Sequence, residues 1–206
     1  MGKNCLDIRF ILASPLVYRL FSTMVGQGPA RKIYVSDYIK PQPGERILDI
    51  GCGPGDIVEH LPNNTEYLGF DMSPVYINAA RKRFGGRANF ICQQLDEDII
   101  KEQELFDIVI AIGVLHHLND NDAIRLFQLA YQVLKPGGRT ITIDPVFFHR
   151  QPGLEHWLVS RDRGDYVRYQ NDYPGLIPAE FKSVKTDIRH GLLRMPYSLM
   201  FMECVR

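Results

Sequence analysis

Short apolar runs alternate with amphipathic stretches through the middle of this chain. The runs Arg46–Ile50, Tyr67–Phe70, Asn89–Cys92, Asp107–Ile112 and Arg139–Ile143 are short, β-branched and bounded by turn residues, and each reads as a buried strand. Helical patterns lie between them. Ser73-Pro74 is a helix start, an N-cap followed by proline at the first helical position. Val75, Ile77, Ala80 and Phe84 then share roughly one face until Gly85-Gly86. Over Asp122–Leu134, Ala123, Leu126, Phe127, Ala130, Val133 and Leu134 recur with helical spacing. Lys135-Pro136-Gly137-Gly138 stops that helix and turns the chain into the next strand. Buried strands alternating with helices predict an α/β fold, a mostly parallel sheet with helices on both faces. Ligands on such a sheet bind beyond the carboxyl ends of the strands.

Three segments flank this pattern. Residues 1–40 carry Ile8, Phe10, Ile11, Leu12, Leu16, Val17, Tyr18, Leu20 and Phe21, which predicts an amphipathic helical cap broken at Ser14-Pro15. Residues 145–178 are rich in aromatics, arginine and proline. An insertion of that length after the fifth strand reads as a lid or substrate loop, or else as a surface excursion packing its own aromatics. Within 179–206, Ser183–Arg189 and Ser198–Val205 supply two closing strands, a hairpin at one sheet edge. The whole chain, 1–206, reads as a single domain around a core at 44–145.

Composition narrows the class. Hydrophobic residues make up 45% and charged residues 23% of 206, as in a soluble globular chain. Lys plus Arg and Asp plus Glu are 24 each, so there is no basic excess and no nucleic-acid partner is expected. Cys5, Cys52, Cys92 and Cys204 show no metal-ligand spacing and read as reduced thiols. The start of the chain soon meets charge and shows no cleavage site, so no signal peptide is expected. The longest apolar run, Ile108 to Leu115, is far short of a membrane span. Together these point to the cytoplasm.

The stretch Ile47-Leu48-Asp49-Ile50-Gly51-Cys52-Gly53-Pro54-Gly55-Asp56 carries the chemistry. A strand runs into glycines at alternate positions, where a backbone turns sharply and a ligand approaches closely. Asp49 puts a carboxylate at the strand end and Pro54 removes an N–H. Both suit a pyrophosphate badly. Both are compatible with a ligand carrying an ammonium group and a sulfonium, S-adenosylmethionine.

Further along come Tyr67-Leu68-Gly69-Phe70-Asp71-Met72-Ser73, Gly113-Val114-Leu115-His116-His117-Leu118 and Leu134-Lys135-Pro136-Gly137-Gly138. With the glycine loop, this ordered set resembles the class I S-adenosylmethionine-dependent methyltransferases, of the small type 11 or UbiE-like group, over about residues 44–145. The resemblance implies a Rossmann-like, seven-stranded, mostly parallel sheet with one antiparallel strand. It implies S-adenosylmethionine as cofactor, S-adenosylhomocysteine as product, and no metal. Asp49 would accept from the cofactor's ammonium, and Gly51, Cys52, Gly53 and Gly55 would let the loop lie against methionine and ribose. Asp71 would accept from both ribose hydroxyls, a vicinal diol meeting a two-oxygen acceptor. Met72 would pack on the adenine face, and Gln94 and Leu95 would meet the adenine edge. The family often has an acid at the Gln94 position, so Asp96 is the alternative. Ile112 and Gly113 would border the transferable methyl.

Methyl transfer from a sulfonium is an in-line displacement, so the protein chiefly supplies alignment. A base is needed only where the nucleophile carries a proton that must leave. His116 and His117, just past the fourth strand, are the candidates; alternatively both orient the loop. Recognition of a small-molecule substrate falls to the flanking segments. Tyr18, Phe21, Tyr34, Trp157, Tyr166 and Tyr169 would wall a pocket, and Arg31, Arg163 and Arg168 would grip a carboxylate or phosphate. Asp144-Pro145 reads as a turn after the fifth strand. The expected activity is methyl transfer to an oxygen of a small molecule. The alternatives are a cofactor-binding regulatory protein without turnover, or a nicotinamide-dependent oxidoreductase, which Asp49 and Pro54 disfavour.

Overall fold

The computed structural model describes Leu20, residues 22–101 and residues 103–206. Most of the expected cap, including the Ser14-Pro15 break, Tyr18 and Phe21, lies outside the described residues. What is described of it is helical: residues 22–25, α1 (Gln27–Ile33) and a π-helical turn, Tyr34–Ile39.

Among the described residues eight strands form one sheet: β1 (Arg46–Ile50), β2 (Glu66–Asp71), β3 (Asn89–Cys92), β4 (Phe106–Ile112), β5 (Leu134–Phe147), β6 (Arg168–Tyr169), β7 (Ser183–Arg189) and β8 (Leu199–Val205). The main path runs β3-β2-β1-β4-β5-β8-β7. The first five strands pair in parallel, and β8 lies antiparallel between β5 and β7. This is the expected α/β architecture, with the closing hairpin at the sheet edge. The expected seven strands are those of the main path. An eighth, β6, comes from inside the insertion and pairs with the last residues of β5.

Alternation along the central strands sorts the core onto two faces. Ile47, Ile108 and Ile110 meet α1, the π-helical turn and α2 (Pro74–Phe84). Leu48, Val109 and Ala111 meet α3 (Glu97–Lys101) and α4 (Asp120–Val133) on the other face. The Ser73 hydroxyl accepts from Tyr76 N at 3.3 Å and starts α2 as its sequence predicts. Asn119 caps α4 at Asp122 N, 3.0 Å, so this helix begins two residues before its apolar pattern, at Asp120 rather than Asp122.

The fifth strand departs most from expectation. It spans Leu134–Phe147, not Arg139–Ile143. Pairing with β4 runs Phe106↔Leu134, then resumes at Ile108↔Arg139, so Lys135-Pro136-Gly137-Gly138 is a bulge inside the strand and not a turn before it. Lys135 Nζ anchors that bulge on both Asp107 oxygens, at 2.9 and 2.8 Å. At the other end Asp144 and Pro145 are strand residues opposite Met200 and Leu199. Pairing with β4 stops at Ile112↔Ile143, so the proline lies where one side of the strand is open and its missing N–H breaks no bond to β4. Among the described residues no helix is long and apolar enough to cross a membrane.

Candidate active site

The site lies at the carboxyl ends of β1, β2, β4 and β5. Gly51 N and Cys52 N both donate to Phe70 O, at 2.8 and 2.9 Å, tying the glycine loop to β2. Gly51 has φ +75°, and a Cβ there would sit 2.7 Å from Val114 Cγ2. Only glycine serves at that position. Asp71 holds the other side of the loop. Its two oxygens accept from Gly53 N at 2.9 Å and Ser73 N at 2.7 Å, joining loop, strand end and helix start. Gly55 precedes a 3-10 turn, Asp56–His60.

Asp49 is buried at the floor of this cleft, which Arg31, Gly51, Cys52, Gly53, Asp56 and Ile112 also line. Its Oδ2 accepts from the Tyr67 hydroxyl at 2.5 Å. Its Oδ1 has no hydrogen-bond partner among the described residues. Burial pushes this carboxyl up to about 7, against the pull of the Tyr67 bond, with repulsion from Asp71 adding to the rise. A buried carboxylate oxygen without a donor is costly. An incoming ammonium relieves that cost, and the small loop residues leave it room. The residues therefore fit the amino-acid end of S-adenosylmethionine. Burial pushes the Cys52 thiol far up as well, so it is no nucleophile.

The other expected cofactor contacts are dispersed around this rim. Met72 is 70% exposed, and Gln94 is exposed too. Leu95 packs its side chain into the core, leaving only backbone to a ligand. Asp96 accepts from Asp98 N and Ile99 N at 3.1 and 3.0 Å as the cap of α3. Of the two alternatives, Gln94 is thus the freer side chain. Gly113, φ +69°, donates to Ile143 O at 2.7 Å, fixing the end of β4 beside the cleft.

His116 and His117 follow on a 3-10 turn, Leu115–His117. They take opposite environments. His116 is buried, with Nδ1 2.8 Å from Asp144 Oδ1 and Nε2 3.1 Å from Asp162 Oδ1. Burial alone would lower its pKa, but the two carboxylates outweigh it and raise it to about 9. Asp162 lies well below the carboxylate range, because the bonds from His116 and Tyr197 outweigh its own burial. With both ring nitrogens engaged, His116 has no free lone pair for a substrate proton, and the expectation that it serves as a base is corrected. His117 is exposed, its ring 4.0 Å from that of His116. The protein packed around it and then the charge on His116 hold it down at about 4, so it is neutral at pH 7.

Of the expected substrate arginines, Arg168 is also corrected. It is buried, and its five N–H groups are matched by Asp120 Oδ1 (twice) and the carbonyls of Leu115, Tyr166 and Leu118. It clamps the histidine turn and has no donor left for a ligand. Arg31 lines the glycine-loop cleft beside Asp56, 3.4 Å away, rather than the insertion side. Arg163 is half-buried and makes no hydrogen bond or ion pair among the described residues. Tyr34 belongs to the core, its ring 5.4 Å from Phe201. Trp157, Tyr166 and Tyr169 are exposed on the insertion, and Tyr18 lies outside the described residues. Sequence reasoning missed Asp144 and Asp162 as partners of His116. The one available signal was an acid ending an apolar strand at Asp144, the same signal that singled out Asp49.

Comparison with known proteins bears on the fold and on the middle of the chain. Residues 47–138 match the family model described as "Methyltransferase domain". The chain is 36% identical over 106 residues to the mitochondrial ubiquinone biosynthesis O-methyltransferase of Rattus norvegicus, covering 48% of this chain and 30% of that one. It is 30% identical over 115 residues to the ubiquinone biosynthesis O-methyltransferase of Xanthomonas axonopodis pv. citri, covering 54% and 47%. The chain thus spans less than half the length of these relatives. Among solved structures it resembles magnesium protoporphyrin IX methyltransferase from Synechocystis PCC 6803 with bound S-adenosylmethionine, at TM-score 0.66 and 17% identity, over 100% of both chains. It also resembles the pyocyanin biosynthetic protein PhzM, at TM-score 0.72 and 16% identity, over 99% of this chain and 60% of that one. Residues 47–138 thus match a methyltransferase domain, and the resemblance to solved methyltransferase structures is a likeness of fold.

Proposed function

We propose that this protein binds S-adenosylmethionine in the glycine-loop cleft and transfers its methyl group to an oxygen of a small-molecule acceptor. The observation that carries this is Asp49, a buried carboxylate with one oxygen unpartnered among the described residues, in a cleft floored by glycines. Asp49 takes the ammonium, and Arg31, on the same cleft, suits the neighbouring carboxylate. Asp71 keeps lone pairs on both oxygens beyond its two backbone bonds, which supports the ribose role. Exposed Met72 and Gln94, with the Leu95 backbone, suit the adenine, and Ile112 and Gly113 suit the methyl end. When bound, the cofactor supplies a methyl on a sulfonium, already activated for displacement.

The chain's own task is alignment of the acceptor and removal of its proton. His117, neutral and with no hydrogen-bond partner for its ring among the described residues, accepts from an acceptor hydroxyl. Arg163, close enough to lower His117 electrostatically and free of ion pairs among the described residues, suits an acceptor that also carries a carboxylate. The O-methyltransferase names of the sequence relatives support oxygen as the acceptor atom.

The test is transfer of label from methyl-tritiated S-adenosylmethionine to a panel of hydroxylated benzoates and uncharged phenols, with cofactor binding followed by calorimetry. Label in an ether product establishes the reading. Binding without label in any acceptor moves the chain to the regulatory alternative, and no binding at all removes both.

A further inference from the structure

His116 sits where three separate parts of the chain meet. Asp144 comes from β5, Asp162 from the insertion, and the histidine itself from the turn after β4. Asp144 Oδ1 accepts from both the backbone N–H of His116, at 3.2 Å, and its ring Nδ1, at 2.8 Å. Asp162 Oδ1 faces the other ring nitrogen at 3.1 Å and also accepts from Gly164 N at 2.9 Å. Its second oxygen takes the Tyr197 hydroxyl, which anchors the loop to the segment before β8. The loop's own backbone completes the joint, since Tyr166 N donates to His116 O at 2.9 Å. Gly164 fits so closely that a Cβ there would lie 2.1 Å from His116 Cδ2 and 2.3 Å from His116 O.

Two carboxylates, one facing each ring nitrogen, favour a proton on both nitrogens, against the burial that also raises the Asp144 carboxyl. The ring is then a cation, and each bond is charge-assisted and directional. Arg168 fastens the far end of the same joint to Leu115, Leu118 and Asp120. Arg163 is trapped between two fixed neighbours, Asp162 and Gly164. His117 follows directly on the fixed ring.

We propose that Asp144, His116 and Asp162 form a positioning unit that docks the insertion onto the histidine turn and so holds His117 and Arg163 together against the acceptor. This rests on the methyl-transfer reading for its kinetic readout but not for its structural one. The unit is a cross-link through a protonated ring. The charged and titratable groups around it are Asp144 on β5, Asp162, Arg163 and Asp165 on the insertion, His117 on its own turn, Tyr173 after β6 and Tyr197 before β8. None of Asp144, Asp162 or His116 touches the acceptor.

The experiment is nuclear magnetic resonance of the full chain with nitrogen-labelled histidine rings, without added acceptor, between pH 6 and 8. The expected wild-type spectrum has one histidine, His116, with both ring nitrogens protonated throughout and with N–H protons protected from exchange. A His116 ring that is neutral at pH 7, or that exchanges freely, overturns the proposal. Gly164→Ala then serves as a steric wedge. It should abolish that protection, lower kcat at least tenfold for whichever panel acceptor the wild type methylates fastest, and leave the dissociation constant for S-adenosylmethionine within threefold. Asp162→Asn should bring His116 into the titrating range and move the alkaline limb of the transfer profile down by a pH unit or more. Should that variant not fold, Tyr197→Phe removes only the outer donor to Asp162 and should weaken protection in the same direction. Unchanged ring protection and kinetics in Gly164→Ala would refute the docking role. The ring spectrum stands whether or not the wild type methylates any acceptor, so failure of the unit and failure of the methyltransferase reading are separate results.

Discussion

The phenol of Tyr67 donates to Asp49 at 2.5 Å across the β1–β2 pair, and among the described residues it is the one hydrogen bond that reaches this buried carboxylate. One donor does not offset burial, so the carboxyl rises from 3.8 to about 7. A folded-state pKa raised in this way contributes stability below the unfolded value of 3.8, and loses it as pH rises through about 7. Above that pH, apo protein carries an uncompensated buried charge. Asp49→Asn should therefore stabilise the apo protein at pH 8, by up to about 4 kcal/mol, because each tenfold change in proton affinity corresponds to about 1.4 kcal/mol. The same variant should lose S-adenosylmethionine binding. For the wild type, affinity should fall about tenfold for each pH unit below 7, because an ammonium needs the ionised carboxylate. Calorimetry between pH 5.5 and 8 reads the affinity, and denaturant melts of both proteins read the stability. A flat affinity profile would remove Asp49 from the ammonium site.

Gly51 carries a different burden, since its constraint is steric. An added methyl must both occupy φ +75° and lie 2.7 Å from Val114 Cγ2. Gly51→Ala should cost about 1–3 kcal/mol of stability and weaken cofactor binding at least tenfold by shifting the loop. Val114→Ala in the same chain should restore part of the stability, because it removes the clash and leaves only the backbone strain. No recovery in the double variant would mean that the strain alone sets the loss.

How far such features are legible from the sequence depends on the range of the contact that creates them. β1 and β3 are found at their observed bounds, because five- and four-residue apolar runs between turn residues leave little choice. Asp49 is legible for a similar reason, as a carboxylate that ends an apolar strand. Lys135-Pro136-Gly137-Gly138 misleads, since its local turn chemistry is real but β4 draws the bulge into the strand through Asp107 and the Phe106↔Leu134 pair. Asp144-Pro145 misleads in the same way, because its strand character comes from β8. Arg168 looks like a ligand-gripping arginine until the fold brings the carbonyls of Leu115 and Leu118 to it, across roughly fifty positions of chain. Nothing periodic in the sequence announces such a partner.

Arg168 predicts a clean separation of effects. Removing its guanidinium takes the side-chain donor from the Leu118 carbonyl and leaves the Leu115 carbonyl with Leu118 N alone, at 3.1 Å, each lost bond costing about 1–3 kcal/mol. Arg168→Ala should lower stability by roughly 2–4 kcal/mol in denaturant melts. Cofactor affinity should stay within threefold, since the glycine loop is held by Phe70 and Asp71 instead. Arg168→Lys should recover little, because an ammonium cannot match five donors fixed in a fork. A lysine variant as stable as wild type would show that charge, not geometry, holds the turn.

His116 gives the fold an alkaline limit. Its folded pKa is raised to about 9, so its contribution is fully present below the unfolded value of 6.5 and is lost as pH climbs through about 9. Asp162, held low by the same contact, contributes in the opposite direction, above its unfolded value and down to strong acid. Wild-type stability should thus fall between pH 7 and 10, and His116→Gln, which has no cation to lose, should show a flatter profile over that interval. Parallel slopes in the two proteins would place the alkaline loss elsewhere.

Arg163 separates acceptors by charge. Its guanidinium is half-buried on a loop fixed at Asp162 and Gly164, with no ion pair among the described residues. A hydrogen bond to a charged group contributes about 1.5–3 kcal/mol, or roughly a ten- to hundredfold change in affinity. Arg163→Gln should raise KM by that factor for a hydroxybenzoate and change it less than threefold for the matching uncharged phenol. kcat for the phenol should change far less than KM for the hydroxybenzoate, because burial and the His116 charge, ahead of Arg163, hold His117 neutral. Arg163→Lys should keep part of the preference, since the charge remains while the bidentate geometry is lost. Equal losses on both acceptors would make Arg163 a structural residue of the insertion and shift the search for the acceptor's anchor to the exposed aromatics Trp157, Tyr166 and Tyr169.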